Sequence, residues 1–266
     1  MKTDTLKSLE AGDGLVFYHK TGRGPAVCMV HGFAEDGSVW EPLLELEKNY
    51  TLIIPDLPGS GLSPLGKTEP SMEDFAGIIL KILQAENLDR VILIGHSMGG
   101  YISLAFADKY PQMLAGLGLF HSSAFADDEE KISIRNKAIK LMETHGPMAL
   151  LRTSIPALFY DKEKHRHEID VMVKEAEKFS VAALCGYYRS MIKRKDRSNL
   201  LDKLAIPFMI IAGAHDTAIP LQASLQQTYR APVTYMIVLK HSGHMGMIEE
   251  STKALQFLKQ FLKDIR

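Results

Sequence analysis

The chain predicts an α/β fold on a mostly parallel sheet, and three observations carry that prediction. Short, wholly apolar runs recur along it, as strands buried on both faces do. Stretches of helical hydrophobic spacing lie between the runs, which is the signature of βαβ construction. The alternation breaks once, from Ser122 to about Leu200, where no buried-strand run occurs.

The first element reads as a hairpin. Thr5–Glu10 and Leu15–Lys20 flank the turn-rich Ala11-Gly12-Asp13-Gly14. The apolar runs follow: Ala26–Val30, Leu52–Ile54, Val91–Ile94, Leu117–Phe120, Phe208–Ile211 and Tyr235–Leu239. Ser71-Met72-Glu73-Asp74 has the form of a capping box. It opens a helix to about Glu86, with Phe75, Ile78, Ile79 and Ile82 on the buried face. A second helix, Met98–Tyr110, stops at Pro111. A third runs from about Ser251 to Ile265, with Leu255, Leu258, Leu262 and Ile265 at helical spacing.

The interruption is helical in character over Lys137–His145, Pro147–Leu158, Lys164–Phe179 and Val181–Lys193. It also holds the charge clusters Asp127–Lys131 and Lys193–Arg197. Residues 1–121 and 201–266 are therefore expected to form the core, and 122–200 a helical lid over the C-terminal edge of the sheet. Ordinary crossover helices are the plainer alternative.

Composition narrows the function. Hydrophobic residues make up 46% and charged residues 24% of 266, which excludes a disordered chain. Lys and Arg number 31 against 32 Asp and Glu, so no strong field draws nucleic acid or an anionic membrane. Two cysteines, Cys28 and Cys185, build neither a disulfide framework nor a zinc site alone. His165 and His167 do not share a helix face, so no metal is expected there. The N-terminal stretch lacks the apolar segment of a secretory signal. No apolar run reaches the roughly 18 residues of a membrane span. A soluble, cytoplasmic protein with no metal and no cofactor is expected, its oligomeric state open.

The sharpest local signal is Gly95-His96-Ser97-Met98-Gly99, between a strand and a helix. This G-x-S-x-G is the form of a nucleophile elbow, where glycines let the chain pass close to a strained serine. The plainer reading is a glycine-rich turn. A serine hydroxyl needs a base, and His244 follows the last apolar run on a loop with Gly243 and Gly246. Histidine suits because it titrates near working pH. His241 is the weaker candidate, at the strand end. The third member is expected at Asp216, after the Phe208–Ile211 run, to hold His244 in its tautomer. Asp127 and Asp128 are the reserve acids; helix capping is the plainer role for Asp216. The backbone amides of Met98 and Phe33 are the expected oxyanion donors. His31 and Asp56 read as residues that tie loops together.

HGF, DLPGSGLS, GHSMGG, GAHDTAIP and HSGHMGMIEE follow one another along the chain. By them it resembles the α/β-hydrolase fold superfamily over essentially its whole length. The resemblance implies a mostly parallel eight-stranded sheet with helices on both faces and a helical cap inserted after strand six. Within the superfamily the chain is similar to small bacterial carboxylesterases of the pimeloyl-carrier-protein methyl-esterase and perhydrolase type. Ser97 separates it from the aspartate-nucleophile dehalogenases and epoxide hydrolases. Ser251 stands where many members carry proline.

The activity so implied is hydrolysis of small to medium carboxylic esters through an acyl-enzyme on Ser97, with Asp216 and His244. Its partner is a small-molecule ester, with neither nucleic acid nor membrane. His31, Trp40, Phe159 and Tyr188 are the expected substrate-side residues, Trp40 being alternatively core. The same serine triad also serves thioesterases, C–C bond hydrolases, perhydrolases, a menaquinone-pathway lyase, and ligand receptors with slow hydrolysis.

Overall fold

In the computed structural model, which describes residues 5–11, 14–67 and 69–265, strand β1 (Leu6–Glu10) pairs antiparallel with β2 (Leu15–Thr21). The centre of the expected turn, Gly12 and Asp13, lies outside the described residues. The next six strands match the six apolar runs. They are β3 (Ala26–Val30), β4 (Thr51–Pro55), β5 (Val91–His96), β6 (Leu114–Phe120), β7 (Phe208–Gly213) and β8 (Thr234–Leu239). These six pair in parallel, in the sheet order β1-β2-β4-β3-β5-β6-β7-β8. The result is an eight-stranded, mostly parallel sheet, as the resemblance implies.

The apolar runs are continuous because both faces are covered. Alternate side chains go to opposite sides. Cys28, Val30, Leu93, Leu117 and Ile210 pack under α1 (Met72–Ala85) and α2 (Met98–Lys109), with Phe75, Ile79, Ile102 and Phe106. Val27, Met29, Ile92, Ile94 and Ile211 pack on the other face, against Trp40, Leu43 and Leu46 of a 3₁₀ helix (Gly37–Lys48). Leu258, Phe261 and Leu262 of the C-terminal helix, Ser251–Asp264, complete that layer. Each such side chain contributes about 1.5–3 kcal/mol on burial. The capping box at Ser71 and Asp74 is present in both directions.

Between β6 and β7 lie α3 (Glu129–His145), α4 (Met148–Ala157), α5 (Arg166–Ala176), α6 (Val181–Lys193) and the short α7 (Ser198–Leu201). Helix α3 starts earlier than its apolar spacing suggests because the Asp128 carboxylate caps it, accepting from Lys131 N. Buried contacts fasten this segment to the core. Tyr187 Oη donates to Pro58 O at 2.7 Å. Within the segment itself, Asp127 sits between the guanidinium groups of Arg135 and Arg194, at 2.6 and 2.9 Å. Two further helices, α8 (Leu221–Thr228) and α9 (Gly246–Glu249), flank β8, and the C-terminal helix is α10. Among the described residues no helix is long and apolar enough to cross a membrane.

Candidate active site

Parallel pairing puts the C-terminal ends of β3, β5, β6, β7 and β8 along one edge, where open α/β sheets bind ligands. Phe33, Ser97, His121, Asp216 and His244 all follow those ends.

Ser97 is the single residue between β5 and α2, at φ 50 and ψ −115. A positive φ is disfavoured for a residue with a Cβ. Three hydrogen bonds to its backbone groups hold it there. Ser97 N donates to Phe120 O at 3.0 Å, and Ser97 O accepts from Gly100 N at 2.9 Å and Ser122 Oγ at 2.7 Å. The flanking glycines are needed for space. A Cβ on Gly95 would lie 2.2 Å from Gly99 C, and one on Gly99 would lie 2.2 Å from Val30 O.

Asp216 and His244 meet across β7 and β8. His244 Nδ1 donates to Asp216 Oδ2 at 2.8 Å, both side chains being enclosed. Asp216 Oδ1 accepts from Ala218 N and Ile219 N at 2.9 and 2.8 Å. Burial acts to raise the Asp216 pKa. The His244 charge and two imidazole N–H donors outweigh burial and hold it far below the usual carboxylate range. Burial likewise acts to lower His244, but the charge and hydrogen bond of Asp216 prevail, aided by Glu35 and Glu249, and its pKa is raised.

His96 joins this pair to the loop after β3. Its Nδ1 lies 2.9 Å from Glu35 Oε2 and its Nε2 lies 3.0 Å from the carbonyl oxygen of His244. Glu35 Oε2 also accepts from Gly32 N at 2.7 Å. Burial acts to raise Glu35, but the adjacent His96 holds it below its ordinary value. The rings of His96 and His244 are 4.9 Å apart. Among the described residues, the amides of Phe33 and Met98 make no hydrogen bond within the protein.

A family profile for the alpha/beta hydrolase fold matches residues 25–137. A thermophilic esterase from Thermogutta terrifontis, solved with malate bound, is similar with a TM-score of 0.89. Its identity is 26%, covering 98% of each chain. A 2-hydroxy-6-oxononadienedioate/2-hydroxy-6-oxononatrienedioate hydrolase of Paraburkholderia phymatum is 24% identical, over 96% of this chain and 93% of its own. A pyrrolizixenacetamide deacetylase of Xenorhabdus hominickii is 23% identical, over 97% of this chain and 98% of its own. The chain has the α/β-hydrolase fold.

Against the sequence expectations, this fold brings Asp216 to His244 and leaves the reserve acids elsewhere. Asp127 is held by two arginines and Asp128 caps α3. His241 is exposed. Asp56 ties loops, accepting from Gly37 N and Leu62 N at 2.9 and 3.0 Å.

Three substrate-side expectations are corrected. His31 is fully enclosed. Its Nε2 accepts from Leu57 N at 3.0 Å and its Nδ1 donates to Gly32 O at 2.9 Å, so it ties two loops together. Trp40 has no exposed surface and packs on the far face of the sheet against Phe120 and His96, at 5.6 and 6.4 Å. Phe159 is 3% exposed and lies against His165 in the core. Tyr188 is placed differently. It is partly exposed and stacks on Phe33 at 4.2 Å, beside one of the candidate oxyanion amides.

Sequence reasoning missed Glu35, Glu249 and His121. Glu249 accepts from Gly243 N and Tyr160 N, each at 2.7 Å, so it fastens the histidine loop to the end of α4. His121 directly follows an apolar strand run, a usable signal, because polar residues at that point face the ligand edge. By distance alone, His121, Asp216 and His244 could hold a metal ion, with ligand atoms all within 4.8 Å. Both Nδ1 atoms instead direct N–H at the carboxylate, and a metal would have to replace those protons.

Proposed function

We propose that the protein is a serine hydrolase of small to medium carboxylic esters that works through an acyl-enzyme. One observation carries the reading. His244, oriented by Asp216 at 2.8 Å, lies against the ring of His96, whose chain neighbour is the strained Ser97. In the proposed reaction Ser97 Oγ attacks the ester carbonyl while its proton passes to His244 Nε2. The amides of Phe33 and Met98 stabilise the oxyanion. The C–O bond then breaks and the alcohol leaves with the proton from His244. Water, deprotonated by His244, attacks the acyl group, releasing the acid and restoring Ser97. Residues 122–200 act as a cap, 1–121 and 201–266 as the core, and the reaction is assigned to the cytoplasm. No cofactor takes part.

Phe33 and Tyr188 form an aromatic wall suited to an apolar acyl group. Each buried methylene contributes about 0.8 kcal/mol, or roughly fourfold in kcat/KM, until the pocket is full. The test is kcat/KM across p-nitrophenyl esters from acetate to palmitate, with Ser97→Ala as the control. A maximum at short or medium chains, abolished in the variant, supports the reading, and a maximum at palmitate contradicts it. Absence of turnover across the series favours a second reading, C–C bond hydrolysis on the same residues. The Paraburkholderia relative, a 2-hydroxy-6-oxo acid hydrolase by name, is what favours that alternative.

A further inference from the structure

The proposed mechanism leaves one hydrogen bond of Asp216 unused. Oδ2 accepts from His121 Nδ1 at 3.0 Å as well as from His244 Nδ1 at 2.8 Å. His121 is the first residue after β6, fully enclosed, at φ 48. Its Nε2 lies 3.2 Å from Gly246 N. A backbone amide can only donate, so Nε2 is the acceptor there and Nδ1 carries the proton. The imidazole is thereby held neutral in one tautomer. Burial, only partly offset by Asp216, pushes its pKa down to about 4, in keeping with that assignment.

We propose that His121 is a positioning residue of this site, a neutral second imidazole that locks the Asp216 carboxylate and limits how strongly it raises the basicity of His244. The proposal rests on the serine-hydrolase reading above. Two physical consequences follow. Donors on both carboxylate oxygens prevent Asp216 from rotating, which fixes the direction from which it holds His244. The two imidazoles also compete for one oxygen. The His121 bond is strongest while His244 is neutral, and weakens once a charged His244 draws on the same Oδ2. His121 therefore favours the neutral, base form of His244. Besides Asp216 and His121, the titratable groups acting on His244 are Glu249 from α9, Glu35, and His96 from β5. His96 lies 6.0 Å from His121, ring to ring. These groups stay in place in every variant below.

Three variants separate positioning from plain packing. In His121→Asn the amide nitrogen stands near the Nδ1 position and can donate to Asp216, and asparagine tolerates the positive φ. His121→Gln reaches the Nε2 position and can accept from Gly246 N without serving Asp216. His121→Ala does neither. With a short p-nitrophenyl ester, the alanine and glutamine variants are expected to lose roughly ten- to a hundredfold in kcat with KM nearly unchanged. The ascending limb of their kcat/KM profiles should move up by roughly half to one pH unit. The asparagine variant should keep the wild-type limb and most of kcat. NMR titration of His244 in a Ser97→Ala background reads the same displacement without turnover. That measurement remains decisive even where the wild type hydrolyses none of the esters, an outcome that would overturn the ester reading alone. Circular dichroism confirms that each variant is folded. A His244 titration identical in all three variants and the wild type would overturn the proposal. So would rescue by glutamine and not by asparagine, which would make His121 only an anchor for Gly246.

Discussion

Ser97 holds a backbone conformation that its own side chain disfavours, and this can be weighed. At φ 50 and ψ −115 a residue with a Cβ carries about 1–3 kcal/mol of strain. Glycine relieves it but gives the unfolded chain more freedom, at a cost of about 0.5–1 kcal/mol relative to alanine. Taking the middle of each range, Ser97→Gly is expected to be about 1 kcal/mol more stable than Ser97→Ala. Both variants lack the hydroxyl, so its removal cancels. The assay is equilibrium urea unfolding. With m of about 2–3 kcal/mol/M, the glycine midpoint should lie roughly 0.3–0.5 M higher at unchanged m. A control comes from Lys140, exposed within α3, where glycine should be less stable than alanine by about 1 kcal/mol. If Ser97→Gly were no more stable than Ser97→Ala while the control kept its sign, the strained-elbow argument would fail.

Other expectations follow from the same geometry. Gly99→Ala should lower both stability and activity, because its Cβ would lie 2.2 Å from Val30 O, a backbone atom that cannot swing aside; a soluble variant within 0.5 kcal/mol of wild type would contradict this. The His244 pKa is raised, and the base must be neutral to act. The ascending limb of kcat/KM should therefore lie above the roughly 6.5 of an ordinary histidine, and a limb below that value would contradict the Asp216 pairing. His121 titrates at about 4 when folded, below its unfolded value of about 6.5, so the unfolded chain takes up that proton first. The His121 contribution to stability is expected to fall by roughly 3 kcal/mol as pH drops between those values, and His121→Asn should remove that component from urea unfolding across pH.

The sheet was legible because its signals are local. Each apolar run from Ala26 to Leu239 became a parallel strand; the inner ones are buried on both faces, which leaves no polar position to alternate, while the edge strand β8 is half-buried. Ser97 was legible for the same reason, its glycines lying within two residues of it. Asp216 and His244 could be read from strand ends and chain order. The surroundings of the site were less accessible. In the 3₁₀ helix that carries Trp40, the buried Val39, Trp40, Leu43 and Leu46 recur every three to four residues, a spacing that marks a buried face but not which side of the sheet it covers. His121 and Asp216 are 95 residues apart, and Glu35 and His96 are 61 apart. Neither pairing follows from hydrophobic spacing, because both depend on which strand ends the sheet order makes neighbours.

The central claim is that Ser97 is the nucleophile activated by His244. Labelling the protein with an organophosphonate and mapping the modified peptide tests it most directly. The account predicts one label, on Ser97, formed far more slowly in His244→Ala. A label on any other serine, or an undiminished labelling rate in His244→Ala, would contradict it.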